Sequence, residues 1–304
     1  DSVKFVVKIK AESDDDEFVE LLFEMADVRF VATSGNVRAE LLWGENVSAI
    51  KRSSVDVSLS LKKDNRISID YEVYVPQDCN LKIENRFGDV VMSDLKSKFY
   101  LKLFHGDLKA ESIFDARSVE VKYGRVDVEE IIKGNFDLSF GKMNIQHAQD
   151  LAIDCSASEI SLGEVGTLVL KSSNDDVDID LISKLSGSST LSDIYVQQLG
   201  SALDFNFKLG DIRVRKIESN FTSIRITGYN ADVDLGFKPN SNFQFDVELE
   251  NSKGFIYPEN LVEINSDETL SKKRMMEGQY GKSNGSSVVI QLKASNVRWN
   301  SIAN

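Results

Sequence analysis

The sequence predicts an all-β fold, a single-stranded right-handed parallel β-helix with rungs of about 17–18 residues. A small residue recurs at that interval, apolar residues stand at fixed offsets from it, and no helical stretch interrupts the array. A fixed short period of this kind is typical of a solenoid. The recurring residues, called marks below, are Gly88, Gly106, Gly124, Gly141, Ser158, Asp175, Ser192 and Gly210.

Three columns of apolar residues define each rung. They stand two, four and seven residues after the mark, and none of the eight residues in any column is polar. Apolar residues at every second position are typical of strands, and rungs of such strands stack about 4.8 Å apart. We expect the marks to form the corners, because Gly, Ser and Asp tolerate the backbone angles of tight turns. The first column comprises Val90, Leu108, Val126, Met143, Ile160, Val177, Ile194 and Ile212.

Two other repeat folds are disfavoured. Leucine-rich repeats have a comparable period, but their L-x-x-L-x-L-x-x-N core is missing. The strict six-residue repeat of left-handed β-helices is also missing. A right-handed coil agrees with the general preference for right-handed crossovers between parallel strands.

Residues 1–80 are predicted to form an N-terminal β region. "FVATSGNVRA" (30–39) fits the rung template, with Gly35 at the mark. "VDVSLSLKKDNRISIDYEVYV" (55–75) contains two alternating runs, which predict an antiparallel hairpin around "KKDN". In segment 13–26, acidic residues precede apolar residues at helical spacing, so this segment predicts either a short capping helix or a strand.

Residues 81–217 are predicted to hold the regular rungs, and residues 218–304 add further rungs that include "IQLKASNVRW" (290–299). The polar, Gly- and Ser-rich segment 265–287 predicts a long surface loop. We expect one continuous domain. A β-helix ends in unpaired strands that favour edge-to-edge association unless something covers them, and segments 1–30 and 265–287 are the candidate caps.

Composition excludes several classes of protein. The chain has 49 acidic and 36 basic residues, and its formal net charge of -13 disfavours nucleic acid and anionic membrane surfaces. No apolar run approaches the ~20 residues that cross a bilayer. We predict no cofactor. Cys79 and Cys155 are too few for a disulfide scaffold, and the four rungs between them place them beyond disulfide reach.

The residue before the mark is aromatic on four successive rungs. Such a column either offers a platform for a sugar ring or stacks only to stabilise the coil. We name it as the candidate ligand-binding site. Its members are Phe87, His105, Tyr123 and Phe140.

The residue after the mark is charged on all eight rungs. Its acidic run Asp176, Asp193 and Asp211 is the candidate metal site, since carboxylate oxygens are ligands for Ca²⁺. The alternative is a solvated corner in which each Asp hydrogen-bonds the backbone. Arg125 and Lys142 relieve the repulsion between like charges in the middle of the column.

The sequence contains no assembled catalytic motif. His105 and His147 have no Ser or Cys nucleophile motif beside them, and two unrelated histidines are weak evidence for chemistry. Acidic pairs suited to glycoside hydrolysis are unspecific in a chain with 49 carboxylates, and the nearest basic cluster for a polysaccharide lyase alternates along the rungs. These charged candidates are Asp127, Glu129, Glu130, Lys122, Arg125 and Lys142.

The sequence resembles the DUF4097-type family of adhesin-like proteins, which is related to the head-GIN domain proteins of Bacteroidetes and other bacteria. The resemblance rests on the rungs marked G-D-[VIL], on "VDLGFKPNSNFQFDVELENSKGFI" (233–256) and on "SSVVIQLKASNVRW" (286–299), and it extends from about residue 28 to the end. It implies a right-handed β-helix and an exported protein of the periplasm or cell surface. The glycine usual in the family is absent at Ser158, Asp175 and Ser192.

We therefore expect a non-catalytic, exported adhesin-like or structural protein that contacts a glycan or cell-envelope partner through its solenoid faces. The alternative is a carbohydrate-active enzyme, a polysaccharide lyase or glycoside hydrolase, on the same scaffold. A deep groove with paired carboxylates favours the enzyme, and flat polar faces favour the binding protein.

Overall fold

The computed structural model describes residues 2–33, 35–62, 64–252, 254–282 and 285–302. The chain divides into two compact units, Asp1–Pro76 and Gln77–Asn304, rather than the single domain that the sequence predicts. The physical reason is that the first unit pairs its strands internally and has its own small core. Among the described residues, no helix has the length and apolar character needed to cross a membrane.

The first unit contains four strands and two helices. Strand β1 pairs antiparallel with β4, and β2 pairs antiparallel with β3. The elements are β1 Lys4–Glu12, α1 Asp16–Met25, β2 Ala26–Thr33, β3 Asn36–Trp43, α2 Ala49–Leu61 and β4 Arg66–Tyr74.

Helix α1 lies in the segment for which the sequence predicts either a helix or a strand. The carboxylate of Asp15 caps it by accepting hydrogen bonds from the backbone N–H groups of Glu17 (3.0 Å) and Phe18 (3.3 Å). Leu22 and Met25 are fully buried on one face of the helix. These contacts place α1 in the core of the first unit.

The predicted hairpin at 55–75 is wrong, because residues 49–61 form helix α2 and β4 pairs with β1 instead. Val55 and Leu59 are one helical turn apart and pack on the core formed with α1, whereas Val57 is 53% exposed. The alternating apolar residues thus also satisfy a helical spacing of four. Burial of that face against α1 selects the helix.

The predicted rung at 30–39 is also wrong. Residues 26–33 and 36–43 form an antiparallel hairpin in which Phe30 lies opposite Ala39. Gly35, with φ of 92°, belongs to the connection between the two strands rather than to a solenoid corner. A glycine between two stretches of alternating apolar residues gives the same local sequence pattern in a hairpin and in a rung.

The second unit is a β-solenoid of about 9 turns, and the predicted parallel β-helix is confirmed. Strand makes up 69% of the molecule and helix 7%. The strands are β5 Leu81–Arg86, β6 Val90–Met92, β7 Leu95–Phe104, β8 Leu108–Lys122, β9 Arg125–Ser139, β10 Lys142–Ser156, β11 Glu159–Ser173, β12 Asp176–Thr190, β13 Asp193–Lys208, β14 Ile212–Ile217, β15 Ser223–Tyr229, β16 Val233–Phe237, β17 Phe243–Glu250, β18 Gly254–Ile256, β19 Val262–Leu270, β20 Lys273–Tyr280, β21 Ser287–Lys293 and β22 Asn296–Ser301.

Neighbouring rungs stack in parallel register with equivalent columns aligned. Met143 of β10, for example, pairs with Val126 on one side and Ile160 on the other. Every residue of the first apolar column is buried. The apolar columns therefore form the continuous core of the solenoid, which is the reason for the repeat.

The corner works differently from the prediction. The residue before the mark is left-handed, with φ of 61° at Phe87 and 54° at Phe140, whereas among the eight marks only Gly210 has a positive φ (119°). The glycine at the mark permits close approach of rungs, since a Cβ on Gly124 would lie 1.9 Å from the carbonyl oxygen of Gly106. The left-handed corner residues are Phe87, His105, Tyr123, Phe140, Ala157, Asn174, Leu191, Leu209, Asn230, Asn251 and Ala294.

We expect Gly124→Ala to lower the free energy of unfolding by about 1–3 kcal/mol, the cost of overpacking a close-packed site. The added methyl group has to displace the Gly106 carbonyl and with it the stacking of two rungs. Gly254→Ala is the matched control, because no heavy atom of the described residues lies within 4 Å of its added Cβ. Urea unfolding measures both variants, and equal loss of stability would contradict this role for the mark.

The C-terminal strands are inserted between two earlier rungs. Strand β21 lies in parallel between β15 and β17, and β22 lies between β16 and β18. The last strands in the sequence are therefore interior strands in space. Both contribute fully buried side chains to the core, among them Ile290 and Trp299.

Most of the loop predicted at 265–287 is an antiparallel hairpin of β19 and β20. Strand β20 also pairs antiparallel with β17, so it covers the edge of β17 that β21 leaves free. Met276 and Tyr280 are fully buried. The prediction of a loop is wrong because glycine and polar residues interrupt the alternation of apolar residues in β20. Residues 283 and 284 of the predicted loop lie outside the described residues.

Candidate functional site

The aromatic residues Phe87, His105, Tyr123 and Phe140 form a continuous ladder. Ring centroids are 5.2, 4.9 and 5.1 Å apart along the column, and neighbouring rings are parallel to within 8°. The spacing follows that of the rungs, since each side chain occupies the same left-handed corner position. Phe87 is 79% exposed, Tyr123 51% and Phe140 56%.

This geometry restricts how the ladder can bind a ligand. The two inner rings, His105 and Tyr123, have a neighbouring ring on each face, so they present only their edges to a ligand. A sugar stacks on the flat face of an aromatic ring. Only the end rings, Phe87 and Phe140, therefore keep a face that no ladder ring covers.

The structure does not bring Asp176, Asp193 and Asp211 together as a metal centre. Asp193 Oδ1 accepts a hydrogen bond from the backbone N–H of Asp211 (3.0 Å), and Asp211 Oδ1 accepts one from Asp232 N–H (3.0 Å). Among the described residues, no group of three His, Cys, Asp or Glu side chains is placed to hold a metal ion. Each of the Asp193 and Asp211 carboxylates instead accepts a hydrogen bond from a backbone amide of the next rung. This is a variant of the predicted alternative, a solvated corner in which each Asp hydrogen-bonds the backbone.

A second acidic position, the mark Asp175, is buried, whereas the sequence predicts only that it forms a corner. Its side chain is 4% exposed. Oδ1 accepts from Ser158 N–H (2.7 Å), while Oδ2 accepts from Ser173 N–H (2.6 Å) and lies 2.7 Å from the Ser172 hydroxyl. Ser192 Oγ in turn accepts from Asp175 N–H (3.1 Å). At these rungs a polar residue stands at the mark instead of glycine. The hydrogen bonds of these polar residues form a network inside the corner.

Cys155 lies inside the solenoid beside this network. It is 1% exposed, and burial, with a further contribution from the Asp175 carboxylate, raises the pKa of its thiol well above the usual range. A thiol held in its protonated form is a poor nucleophile. Both cysteines are free, as the sequence predicts from their separation.

A groove of about 410 Å³ lies at a different corner of the solenoid. It runs across five rungs, six to eight residues after each mark. Small residues, Gly166 and Gly200, stand in its floor, and a Cβ on Gly166 would lie 2.6 Å from the carbonyl oxygen of Gln149. Its polar side chains are Glu130, His147, Gln149, Glu164 and Ser183.

Three of these side chains form a column across the groove. His147 pairs in register with Glu130 on one side and Glu164 on the other. His147 Nδ1 lies 4.0 Å from Glu164 Oε2, and the two side chains are 67% and 66% exposed. The column therefore offers hydrogen-bonding groups to a ligand from solvent-facing positions.

The other charged residues that the sequence singles out do not converge on a site. Lys142 forms an ion pair with Glu159 of the next rung. Lys122 forms one with Glu120 (2.7 Å), whose hydrogen bond raises the pKa of the lysine. Asp127 accepts from Asn144 Nδ2 (3.1 Å). Of the acidic group, only Glu130 lines the groove.

Comparison with known proteins adds no assignment. No protein-family model, curated protein or solved structure matches the chain. The candidate sites are therefore defined by the geometry of the ladder and the groove.

Proposed function

We propose that the protein is a non-catalytic, exported adhesin-like or structural protein whose solenoid binds a glycan or another partner in the cell envelope. One observation carries the proposal, namely the open groove lined by Glu130, His147, Gln149, Glu164 and Ser183. A concave surface with a few convergent polar groups is the usual form of a small-ligand site.

The chemistry of the groove suits a polyhydroxylated chain. Carboxylates accept hydrogen bonds, and the Gln149 amide, the Ser183 hydroxyl and the His147 imidazole both donate and accept. The floor is formed by small and apolar residues, including Ala148 and Gly166. Because the rungs repeat at about 4.8 Å, successive sugar hydroxyls can meet successive rungs.

The exposure of the carboxylates supports binding rather than catalysis. A general acid in a glycoside hydrolase typically lies in a pocket with apolar surroundings. Glu130 and Glu164 are instead exposed to solvent. The groove also lies on the surface of the coil, with no covering segment among its lining residues.

The second candidate function is a carbohydrate-active enzyme in the same groove. Glu130 and Glu164 stand two rungs apart on either side of His147, which corresponds to about 9.6 Å between equivalent atoms. Inverting glycosidases hold their carboxyl groups roughly 6.5–9.5 Å apart. The rung spacing is close to the upper limit of this range, and it is the specific observation that favours the alternative.

A glycan-array screen of the purified protein, with and without Ca²⁺, tests the proposal. We expect saturable binding that does not require Ca²⁺. The double variant His147→Ala, Glu164→Ala is expected to weaken binding about tenfold or more, because hydrogen bonds to charged groups contribute ~1.5–3 kcal/mol. Glu111→Ala, which removes an exposed carboxylate outside the groove, is the matched control and should bind like the wild type.

Two results would overturn parts of this proposal. If no glycan binds, the ligand is not a glycan, and a protein of the envelope becomes the partner to seek. If a glycan binds but the groove variant retains full affinity, the groove is not the site.

A further inference from the structure

The corner column changes character where the aromatic ladder ends. On the rung after Phe140 the equivalent residue is Ala157, and on the next rung it is Asn174. All three have the same left-handed backbone, with φ of 54°, 49° and 60°. The column therefore continues in register, but a methyl group stands where the previous rungs carry a ring.

The rung geometry leaves space for one ring at this point. Phe140 stacks on Tyr123 with one face, at 5.1 Å between centroids, and its other face looks along the column toward Ala157. Phe140 and Asn174 are two rungs apart, which is about 9.6 Å at the spacing of paired strands. A ring placed midway would lie about 4.8 Å from each, close to the separation found within the ladder.

Polar groups surround this position on both sides of the corner. Ser156, which directly precedes Ala157, donates from its hydroxyl to Ser139 Oγ (3.1 Å) on the rung below. Across the corner lies the exposed ion pair of Lys142 and Glu159. The exposed amide of Asn174 stands on the rung above. A flat apolar face with a polar rim fits a pyranose, whose C–H groups stack on a ring while its hydroxyls bond outward.

We propose that the position above Ala157 is a subsite for one pyranose ring, stacked on the free face of Phe140 and hydrogen-bonded by the Asn174 amide. The subsite lies at a different corner from the groove. It deepens the glycan binding proposed above and rests on it, but substitutions in the groove should leave it unchanged. It also gives the ladder a functional end, because stacking on Tyr123 holds the ring of Phe140 parallel to its neighbour to within 8°.

Solution NMR of the full chain with ¹³C-labelled phenylalanine tests this subsite. The probes are the methyl pyranosides of glucose, galactose and mannose, titrated one at a time. We expect at least one of them to shift the ring resonances of Phe140 in a saturable manner, while the ring resonances of Phe87 at the other end stay unchanged. If none of the three shifts Phe140, the proposal is wrong.

Two variants separate stacking from a structural effect. Ala157→Phe fills the position with a fifth ring in a conformation that the ladder already uses, so we expect it to fold and to abolish the shift. Phe140→Leu removes the flat face but keeps an apolar side chain, and leucine occurs at this corner at Leu191 and Leu209. We expect Phe140→Leu to fold and to show no sugar-induced shifts at neighbouring residues.

The last control addresses the class of ligand. Phenol has a flat ring but only one hydroxyl group, so we expect the Kd fitted to its Phe140 titration to be higher than that of the best pyranoside. Asn174→Ala should weaken the pyranoside more than it weakens phenol. Equal effects of phenol and the pyranosides, or binding that Ala157→Phe leaves intact, would overturn the assignment to a sugar ring.

Discussion

Replacing Ile290 with aspartate is expected to unfold the C-terminal third of the solenoid. Ile290 is fully buried in β21, between Ile226 of β15 and Val247 of β17. An unpaired charge at this point costs several kcal/mol, and the apolar contacts of a core isoleucine, worth about 2–5 kcal/mol, are lost as well. That total is comparable with the whole stability of an ordinary domain, about 5–15 kcal/mol.

The insertion of β21 explains why the effect should spread in both directions. In a simple solenoid the last strands are an end rung, and their loss exposes one neighbour. Here the loss of β21 and β22 removes the partners of β15 and β16 on one side and of β17 and β18 on the other. Deletion of residues 287–304 should therefore have the same effect as Ile290→Asp.

Hydrogen exchange measures this prediction. Amides of β15 to β18 should lose protection in Ile290→Asp, while those of β9 to β11 stay protected. Gln291→Asp places the same charge on the adjacent exposed residue and should leave protection unchanged. Loss confined to residues 287–302 would contradict the inserted arrangement.

Asp175→Ala is expected to lower the free energy of unfolding by about 2–4 kcal/mol, because it leaves the backbone N–H groups of Ser158 and Ser173 without their acceptor. The Asp175 carboxylate accepts from the N–H groups of Ser158 and Ser173 and contacts the Ser172 hydroxyl. Ser158 and Ser172 are themselves buried, whereas Ser173 is exposed, so water cannot readily replace the carboxylate at the Ser158 N–H group. Asp175→Asn keeps the shape of the side chain but places an amide N–H group toward a donor, so it should cost nearly as much.

Thiol labelling of Cys155 provides a local readout of this corner. In the wild type the buried, protonated thiol should react only after unfolding, whereas Cys79, which is only half-buried, should react in the native state. Asp175→Ala should accelerate labelling of Cys155 and reduce stability to urea. Asp178→Ala removes an exposed carboxylate three residues away and is expected to change stability by less than about 0.5 kcal/mol. Equal behaviour of the two variants would show that Asp175 is not a structural acceptor.

The solenoid was predictable because its core obeys a strict period. The column that contains Val126, Met143 and Ile160 repeats every 17 residues in this part of the chain, and burial of that column requires stacked rungs. The N-terminal unit has no such repeat. Val55, Val57 and Leu59 alternate like a strand, yet contact with Leu22 and Met25 selects a helix, and that contact depends on tertiary structure.

The candidate sites were predictable only in part. The ladder follows from four aromatic residues at one offset. The stacking that covers the inner ring faces depends on a left-handed backbone, which has no sequence signature when the residue is not glycine. The groove was not predicted because its polar residues differ in type, although they recur six or eight residues after the mark. A signal was nevertheless present, since Gly166, Ser183 and Gly200 are small residues at one offset on successive rungs.

The measurement that tests the central claim most directly is product analysis of each glycan that binds the purified protein. Mass spectrometry after prolonged incubation should recover the bound glycan intact, because the groove presents exposed carboxylates and serves to hold its ligand. Cleaved products that disappear in Glu130→Gln or Glu164→Gln would contradict the claim and identify the groove as the active site of a carbohydrate-active enzyme.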